Sequence, residues 1–151
     1  MRTKLIVLAL CSFFTITTIA GLAFSAEQNP SKLVGTWKLV SGKYNGQVGD
    51  FGKLIILKHI TGTHFMWVRY DADTKKISQT AGGLYTIKGE TYTEHPSYGI
   101  GDNFDVIRDT DHSFQWKIVG DKWYTNGQLS NGTKIEEVWE LVKPETTMAP
   151  R

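Results

Sequence analysis

Two charged residues stand among aromatic side chains in this chain, and together they could bind a polar group. Glu137 alternates with Trp139, and Arg69 alternates with Phe65 and Trp67, as on the faces of strands. If both faces point into an enclosed interior, the ionised carboxylate needs a partner, and Arg69 is the best candidate. Such a pair would orient the head group of a ligand between aromatic walls. Alternatively, the pair satisfies only itself, or Glu137 faces water.

A second group combines aromatic and acidic side chains on two neighbouring segments. Tyr92 and Glu94 share a face and stand close in sequence to Tyr85, so they either line the same wall or lie outside. Trp116 belongs to a further alternating segment. The candidate ligand-binding residues are Phe65, Trp67, Arg69, Tyr85, Tyr92, Glu94, Trp116, Glu137 and Trp139.

No pattern of reactive residues indicates catalysis. Glu136 and Glu137 are adjacent, so in a strand they point to opposite faces and cannot act together as acid and base. The four histidines lack metal-binding spacing, and no nucleophile elbow or phosphate-binding glycine loop is recognisable. We therefore expect a protein that is not an enzyme and that has no metal site and no cofactor.

The elements that must position these residues are short strands. Segments rich in β-branched and aromatic residues alternate with turn signals such as Asn45-Gly46 and Asn126-Gly127. Predicted strands cover 34–43, 53–60, 63–70, 76–79, 82–88, 91–96, 104–108, 113–119, 122–128 and 134–142. With no crossover helix between them, they predict an all-β fold, an antiparallel up-and-down β-barrel of about 8–10 strands, with a sandwich as the alternative.

The first residues have the pattern of a signal peptide. A short basic start, Arg2 and Lys4, precedes an uncharged apolar run that ends near Ala23-Phe24-Ser25. We expect residues 1–26 to be a signal peptide and residues 27–151 a single β-barrel domain with short disordered ends. This predicts export to the periplasm or surface of a bacterium, with no integral membrane span after the signal peptide is removed.

The charge and cysteine content of the remaining chain limit its partners. Removing Arg2 and Lys4 reduces 17 basic residues to 15, which equals the 15 acidic residues. A net charge of zero gives no long-range attraction to nucleic acid. The single cysteine, Cys11, lies in the predicted leader, so the domain must be stable without disulfides.

Two end segments carry a resemblance to a known superfamily. Gly35-Thr36-Trp37 resembles the Gly-x-Trp signature of the calycins, the group of lipocalins and fatty-acid-binding proteins, and Glu137-Val138-Trp139-Glu140 is similar to the last strand of the fatty-acid-binding proteins. The chain most resembles bacterial secreted lipocalin-like domains. The resemblance implies a closed barrel in which Trp37 plugs one end, with Lys143 as a covering basic side chain.

The chain also differs from the fatty-acid-binding proteins at places that matter for the ligand. Residues 45–53 are too few for the helical lid of that family, and Glu137 and Trp139 stand where the family has an arginine and a tyrosine. A carboxylate at that place repels a fatty-acid carboxylate. We therefore expect the barrel to hold a small hydrophobic or amphipathic molecule, with a neutral one preferred. The alternative is a barrel filled by its own side chains, which would serve as an envelope structural or protein-interaction domain.

Overall fold

A computed structural model describes residues 29–144, so the predicted signal peptide over residues 1–26 lies outside the described residues. A short 3-10 helix, Pro30–Leu33, leads into the sheet. The strands are β1 (Gly35–Tyr44), β2 (Gln47–Val48), β3 (Leu54–Ile60), β4 (His64–Asp71), β5 (Ile77–Lys88), β6 (Thr91–Ile100), β7 (His112–Val119), β8 (Lys122–Gln128) and β9 (Lys134–Leu141). One α-helix, α1 (Asp102–Ile107), joins β6 to β7.

The sheet closes on itself as an antiparallel up-and-down barrel of eight strands. Strands β1 and β3 to β9 pair in chain order, and β9 then pairs with β1, with Leu39 opposite Trp139. The short β2 pairs only with the end of β1, outside the barrel wall. The predicted all-β barrel is confirmed, and the closure between β1 and β9 rules out the open sandwich.

Alternation along each strand decides which side chains face the interior. In β3, Lys58 and Ile60 are buried, and in β7 every second residue from His112 to Trp116 is buried. Strand β4 turns Phe65 inward and exposes Met66. The eleven-residue apolar core that results is Leu33, Trp37, Leu39, Ile60, Phe65, Tyr92, Phe114, Trp116, Trp123, Ile135 and Trp139.

Two predicted strands are in fact one continuous strand. The segments 76–79 and 82–88 belong to β5, which passes through Gly82 and Gly83 without a break. The register of β5 against β6 shifts between these glycines, and a Cβ on Gly83 would lie 2.0 Å from the carbonyl oxygen of His95. The glycine pair therefore permits a close backbone approach at a bulge.

The predicted strand 104–108 is wrong, because these residues lie mainly in α1. Phe104 and Ile107 are spaced by three residues, are both buried, and pack with Ala81 of β5. The sequence also alternates Phe104 with Val106, which is the pattern that suggested a strand. A helix of six residues is too short for the helical spacing of apolar residues to be told from the alternation of a strand.

Candidate functional site

The interior of the barrel has a packed half and an open half. In the packed half, Trp123 is fully buried, and its ring lies 5.6 Å from that of Trp37, 5.4 Å from that of Tyr92 and 6.0 Å from that of Trp139. Leu33 closes this end, and its carbonyl oxygen accepts a hydrogen bond from Trp37 Nε1 at 2.8 Å. This half is therefore filled by packed side chains.

The open half contains a cavity of about 400 Å³. Its size falls in the ~300–1,000 Å³ range of small-molecule sites, and its wall combines apolar side chains with a few convergent polar groups, as such sites do. The lining residues are Leu39, Tyr44, Phe51, Ile56, Lys58, Trp67, Arg69, Gln79, Glu94, Asn103, Val106, Ile107, Phe114, Leu129, Asn131, Thr133, Ile135, Glu137 and Trp139.

A buried ion pair lies between the two halves. Lys58 Nζ is 2.7 Å from Glu94 Oε1, and the side chains of the two residues are 7% and 6% exposed. The same carboxylate oxygen accepts a hydrogen bond from the Tyr92 hydroxyl at 2.9 Å. The ammonium also lies 4.7 Å from the centre of the Trp139 ring and 5.4 Å from that of Trp123, within the range of cation–π attraction. Ion pairing and aromatic contact together compensate the loss of hydration.

Glu137 provides a second carboxylate in the cavity wall, and its partners are neutral. Oε1 accepts a hydrogen bond from the Tyr44 hydroxyl at 3.1 Å, and Oε2 accepts one from Trp139 Nε1 at 3.1 Å. Burial raises the pKa of Glu137; Lys58 opposes this effect and Glu94 adds to it. Burial and the neighbouring Glu137 likewise raise the pKa of Tyr44, so its hydroxyl stays a proton donor.

Two further polar residues line the cavity side by side on β4 and β5. Arg69 is the cross-strand neighbour of Gln79, and its Nε donates to the Ser78 hydroxyl at 3.2 Å. Gln79 is 8% exposed, and its Oε1 is buried without a hydrogen-bond partner among residues 29–144. Within the same residues, Arg69 forms no salt bridge.

The helix α1 and the turn between β8 and β9 complete the wall of the open half. Val106 and Ile107 of α1 line the cavity, as do Leu129 and Thr133 of the turn. The helix is held in place by Phe104, whose ring packs so closely on Gly99 that a Cβ there would lie only 2.8 Å from it. A short helix between two strands thus contributes apolar surface that the sequence pattern did not indicate.

The predicted ligand-binding residues divide between the two halves. Trp67, Arg69, Glu94, Glu137 and Trp139 line the cavity. Phe65, Tyr92 and Trp116 are buried in the packed core, and the half-buried Tyr85 packs 5.4 Å from Tyr92 and donates to the carbonyl oxygen of Thr61. These last four are not among the residues that line the cavity, because they lie in the packed half.

Two predicted contacts differ in the structure. Glu137 does not pair with Arg69: its oxygens are bound by Tyr44 and Trp139, while the buried ion pair joins Lys58 to Glu94. Lys143 does not cover Trp37, because its exposed ammonium lies 3.3 Å from Asp121. Trp37 itself is 1% exposed at the closed end.

Sequence reasoning missed several cavity residues, above all Lys58 and Gln79. Lys58 shares a face with Ile56 and Ile60, which is a signal for an inward lysine. That signal was masked because Leu57 on the other face is apolar too. Gln79 stood at the end of a segment predicted to stop there, so nothing suggested that its side chain pointed inward.

The described part of the chain shows neither a metal-binding cluster nor a membrane-spanning helix. Residues 29–144 contain no group of three or more histidine, cysteine, aspartate or glutamate side chains that could hold a metal ion. Across the same residues, no helix is both long enough and apolar enough to cross a membrane.

Comparisons with known proteins support the fold and go no further. No family model matches the chain, and no curated protein matches it. One solved structure that is similar belongs to an uncharacterized protein from Bacteroides eggerthii, with a TM-score of 0.51 and 18% sequence identity over 72% of this chain and 98% of that chain. At this identity the likeness shows a shared barrel fold.

Proposed function

We propose that this chain is an exported, lipocalin-like binding protein that holds a small amphipathic molecule in the open half of its barrel. The observation that carries the proposal is the cavity of about 400 Å³, which has apolar walls and only a few polar groups. The leader-like residues 1–26 and the Gly35-Thr36-Trp37 motif support the export and the lipocalin-like type.

Binding without chemistry fits the way the charged groups of the cavity are engaged. Lys58 is held by Glu94, and Glu137 is held by Tyr44 and Trp139. Groups fixed in this way can orient a ligand, as the few polar groups of small-molecule sites do. The proposal is therefore a carrier or sensor of a small molecule.

The test is to identify what the protein carries in its own host. The exported protein is purified, its N-terminus is sequenced, and organic extracts are analysed by mass spectrometry. We expect a start near Ala26 or Glu27 and an amphipathic molecule in the extract. Leu129→Trp should abolish the extracted molecule, because the larger ring fills the cavity at the turn. Val119→Trp is the control, since Val119 is 59% exposed outside the wall.

Two outcomes would contradict this proposal. An intact Met1 on the purified protein would contradict export. An extract that is the same for wild type, Leu129→Trp and Val119→Trp would show that any molecule found is bound elsewhere, and would favour a barrel whose role is structural or in protein interaction.

A further inference from the structure

We propose that the ligand carries a cationic amine, which Glu137 binds inside the cavity. The inference rests on the proposed function and specifies the chemical class of its ligand. It follows from the distribution of charge and of hydrogen-bond capacity over the cavity wall, which is described by residues 29–144.

Of the two carboxylates that line the cavity, Glu94 is paired with a cation and Glu137 is not, within residues 29–144. Lys58 and Glu94 neutralise each other across 2.7 Å and are both buried, so neither is available to an incoming ion without breaking the pair. Glu137 then remains as a carboxylate whose hydrogen-bond partners, Tyr44 and Trp139, carry no charge. Among residues 29–144, no cation lies within salt-bridge distance of Glu137.

Glu137 and Gln79 both have hydrogen-bond acceptors that are not fully used within residues 29–144. An ionised carboxylate offers about four lone-pair sites, and Glu137 uses one on each oxygen. The orphan Oε1 of Gln79, which belongs to another residue of the cavity wall, is a further acceptor without a donor. These acceptors on Glu137 and Gln79 are matched by a primary ammonium, which has three N–H donors and a positive charge.

Aromatic side chains surround the carboxylate of Glu137. The rings of Trp139 and Tyr44 adjoin Glu137 through their hydrogen bonds, and Trp67 lines the same cavity. Aromatic faces attract cations, and desolvation strengthens that attraction. Trp139 already lies over the ammonium of Lys58 at 4.7 Å, which shows that this part of the barrel accepts a buried cation.

The residues of the cavity wall favour one orientation of an amphipathic ligand. With its amine at Glu137, an alkyl or aryl tail meets the apolar residues Phe51, Val106 and Leu129. A carboxylate head would instead have to bind Arg69, whose Nε contacts Ser78. The amine orientation places the charge of the ligand against the carboxylate of Glu137 and its tail against apolar side chains.

The experiment compares three probes with the same tail: octylamine, octanol and octanoate. Affinities are measured by calorimetry for the full exported chain at about pH 8, well above the ordinary pKa range of a glutamate, which favours the carboxylate form while the amine stays protonated. We expect octylamine to bind about tenfold more tightly than octanol, and octanoate to bind most weakly. Glu137→Gln should remove about tenfold of the affinity for octylamine and change that for octanol less than about twofold. Glu136→Gln, the exposed neighbour on the other face, is the matched control.

A change of pH gives a second readout. The ionisable groups that face Glu137 are Tyr44 on β1, Lys58 on β3, and Tyr92 and Glu94 on β6, with Arg69 of β4 acting on Tyr44. Because burial raises the pKa of Glu137, its charge is lost on acidification before that of an exposed glutamate. The preference for octylamine over octanol should therefore shrink towards about pH 5 in wild type and be absent at both pH values in Glu137→Gln.

Each outcome decides something different. If octanol or octanoate binds at least as tightly as octylamine, or if Glu136→Gln loses as much as Glu137→Gln, the amine proposal is wrong while a binding function stands. Tight octanoate binding that Arg69→Gln abolishes would place the head-group site at Arg69. If none of the probes binds and the host extract holds no ligand, the binding function falls as well.

Discussion

The buried pair of Lys58 and Glu94 yields a quantitative prediction about how the barrel tolerates charge. Removing one partner of such a pair leaves an uncompensated charge in the interior, at a cost of ~3–5 kcal/mol. For Glu94→Gln we expect the low end, about 3 kcal/mol, since Lys58 keeps its contacts with the rings of Trp139 and Trp123. For Lys58→Met we expect the high end, because Glu94 then keeps only the hydroxyl of Tyr92.

The double variant Lys58→Met/Glu94→Gln tests the reasoning. It removes both charges, fills the lysine volume with an apolar chain and keeps an acceptor for Tyr92, so it should be more stable than Lys58→Met alone. Urea unfolding followed by far-UV circular dichroism measures all three. With a slope of ~1–3 kcal/mol/M, a loss of about 3 kcal/mol shifts the midpoint by roughly 1–3 M.

The exposed pair of Lys43 and Glu136 provides the control for these variants. Its atoms are 3.5 Å apart and the two side chains are 47% and 60% exposed, so Glu136→Gln should cost no more than ~1 kcal/mol. A double variant that loses about the sum of the two single losses would refute the argument. It would mean that Lys58 and Glu94 contribute separately rather than as a compensating pair.

Two further predictions concern other buried residues. Trp37→Ala should lower the free energy of unfolding by ~3–5 kcal/mol in the same assay. It removes a ring that is 1% exposed and leaves the Leu33 carbonyl oxygen without its donor. A loss below about 1 kcal/mol would show that Trp37 does not hold the closed end together. Because burial raises the pKa of Glu137 above its ordinary value of 4.5, the folded state binds that proton more tightly, so this stabilisation is present below about pH 4.5 and is lost as the pH rises through the folded pKa. Glu137→Gln should therefore raise stability near pH 7 relative to wild type, with the advantage disappearing in acid, and a variant that is less stable at every pH would contradict this.

The barrel could be predicted from the sequence because each long strand carries its own signal. Alternation such as Phe114, Trp116 and Ile118 against Gln115 and Lys117 fixes both the strand and its inward face, and β7 has this arrangement. The failures lie where tertiary context decides. The strand β5 was predicted as two segments, 76–79 and 82–88, although it is continuous. The helix α1 was predicted as a strand because its six residues are too few to show its period.

The site was predicted less completely than the fold. A barrel brings together residues from different strands, and the sequence does not indicate how far along the barrel axis each residue lies. Glu137 and Arg69 were both assigned to the interior, and both line the cavity. Their pairing failed because Tyr44 reaches Glu137 from the neighbouring strand β1, a contact that depends on the register after the bulge between Leu39 and Ser41. Lys58 went unnoticed because the opposite face of β3 is apolar as well.

The division of the interior has a consequence for how this sequence can vary. The tryptophan-rich half forms a cluster around Trp123, where any change of side-chain volume disturbs several packed neighbours. The open half ends in α1 and the turn at Leu129, where substitutions meet empty space instead of a filled core. New specificities can therefore arise at one end of the barrel while the other end keeps the chain folded, and a library confined to positions such as Asn103, Val106 and Thr133 would sample ligands at little cost in stability.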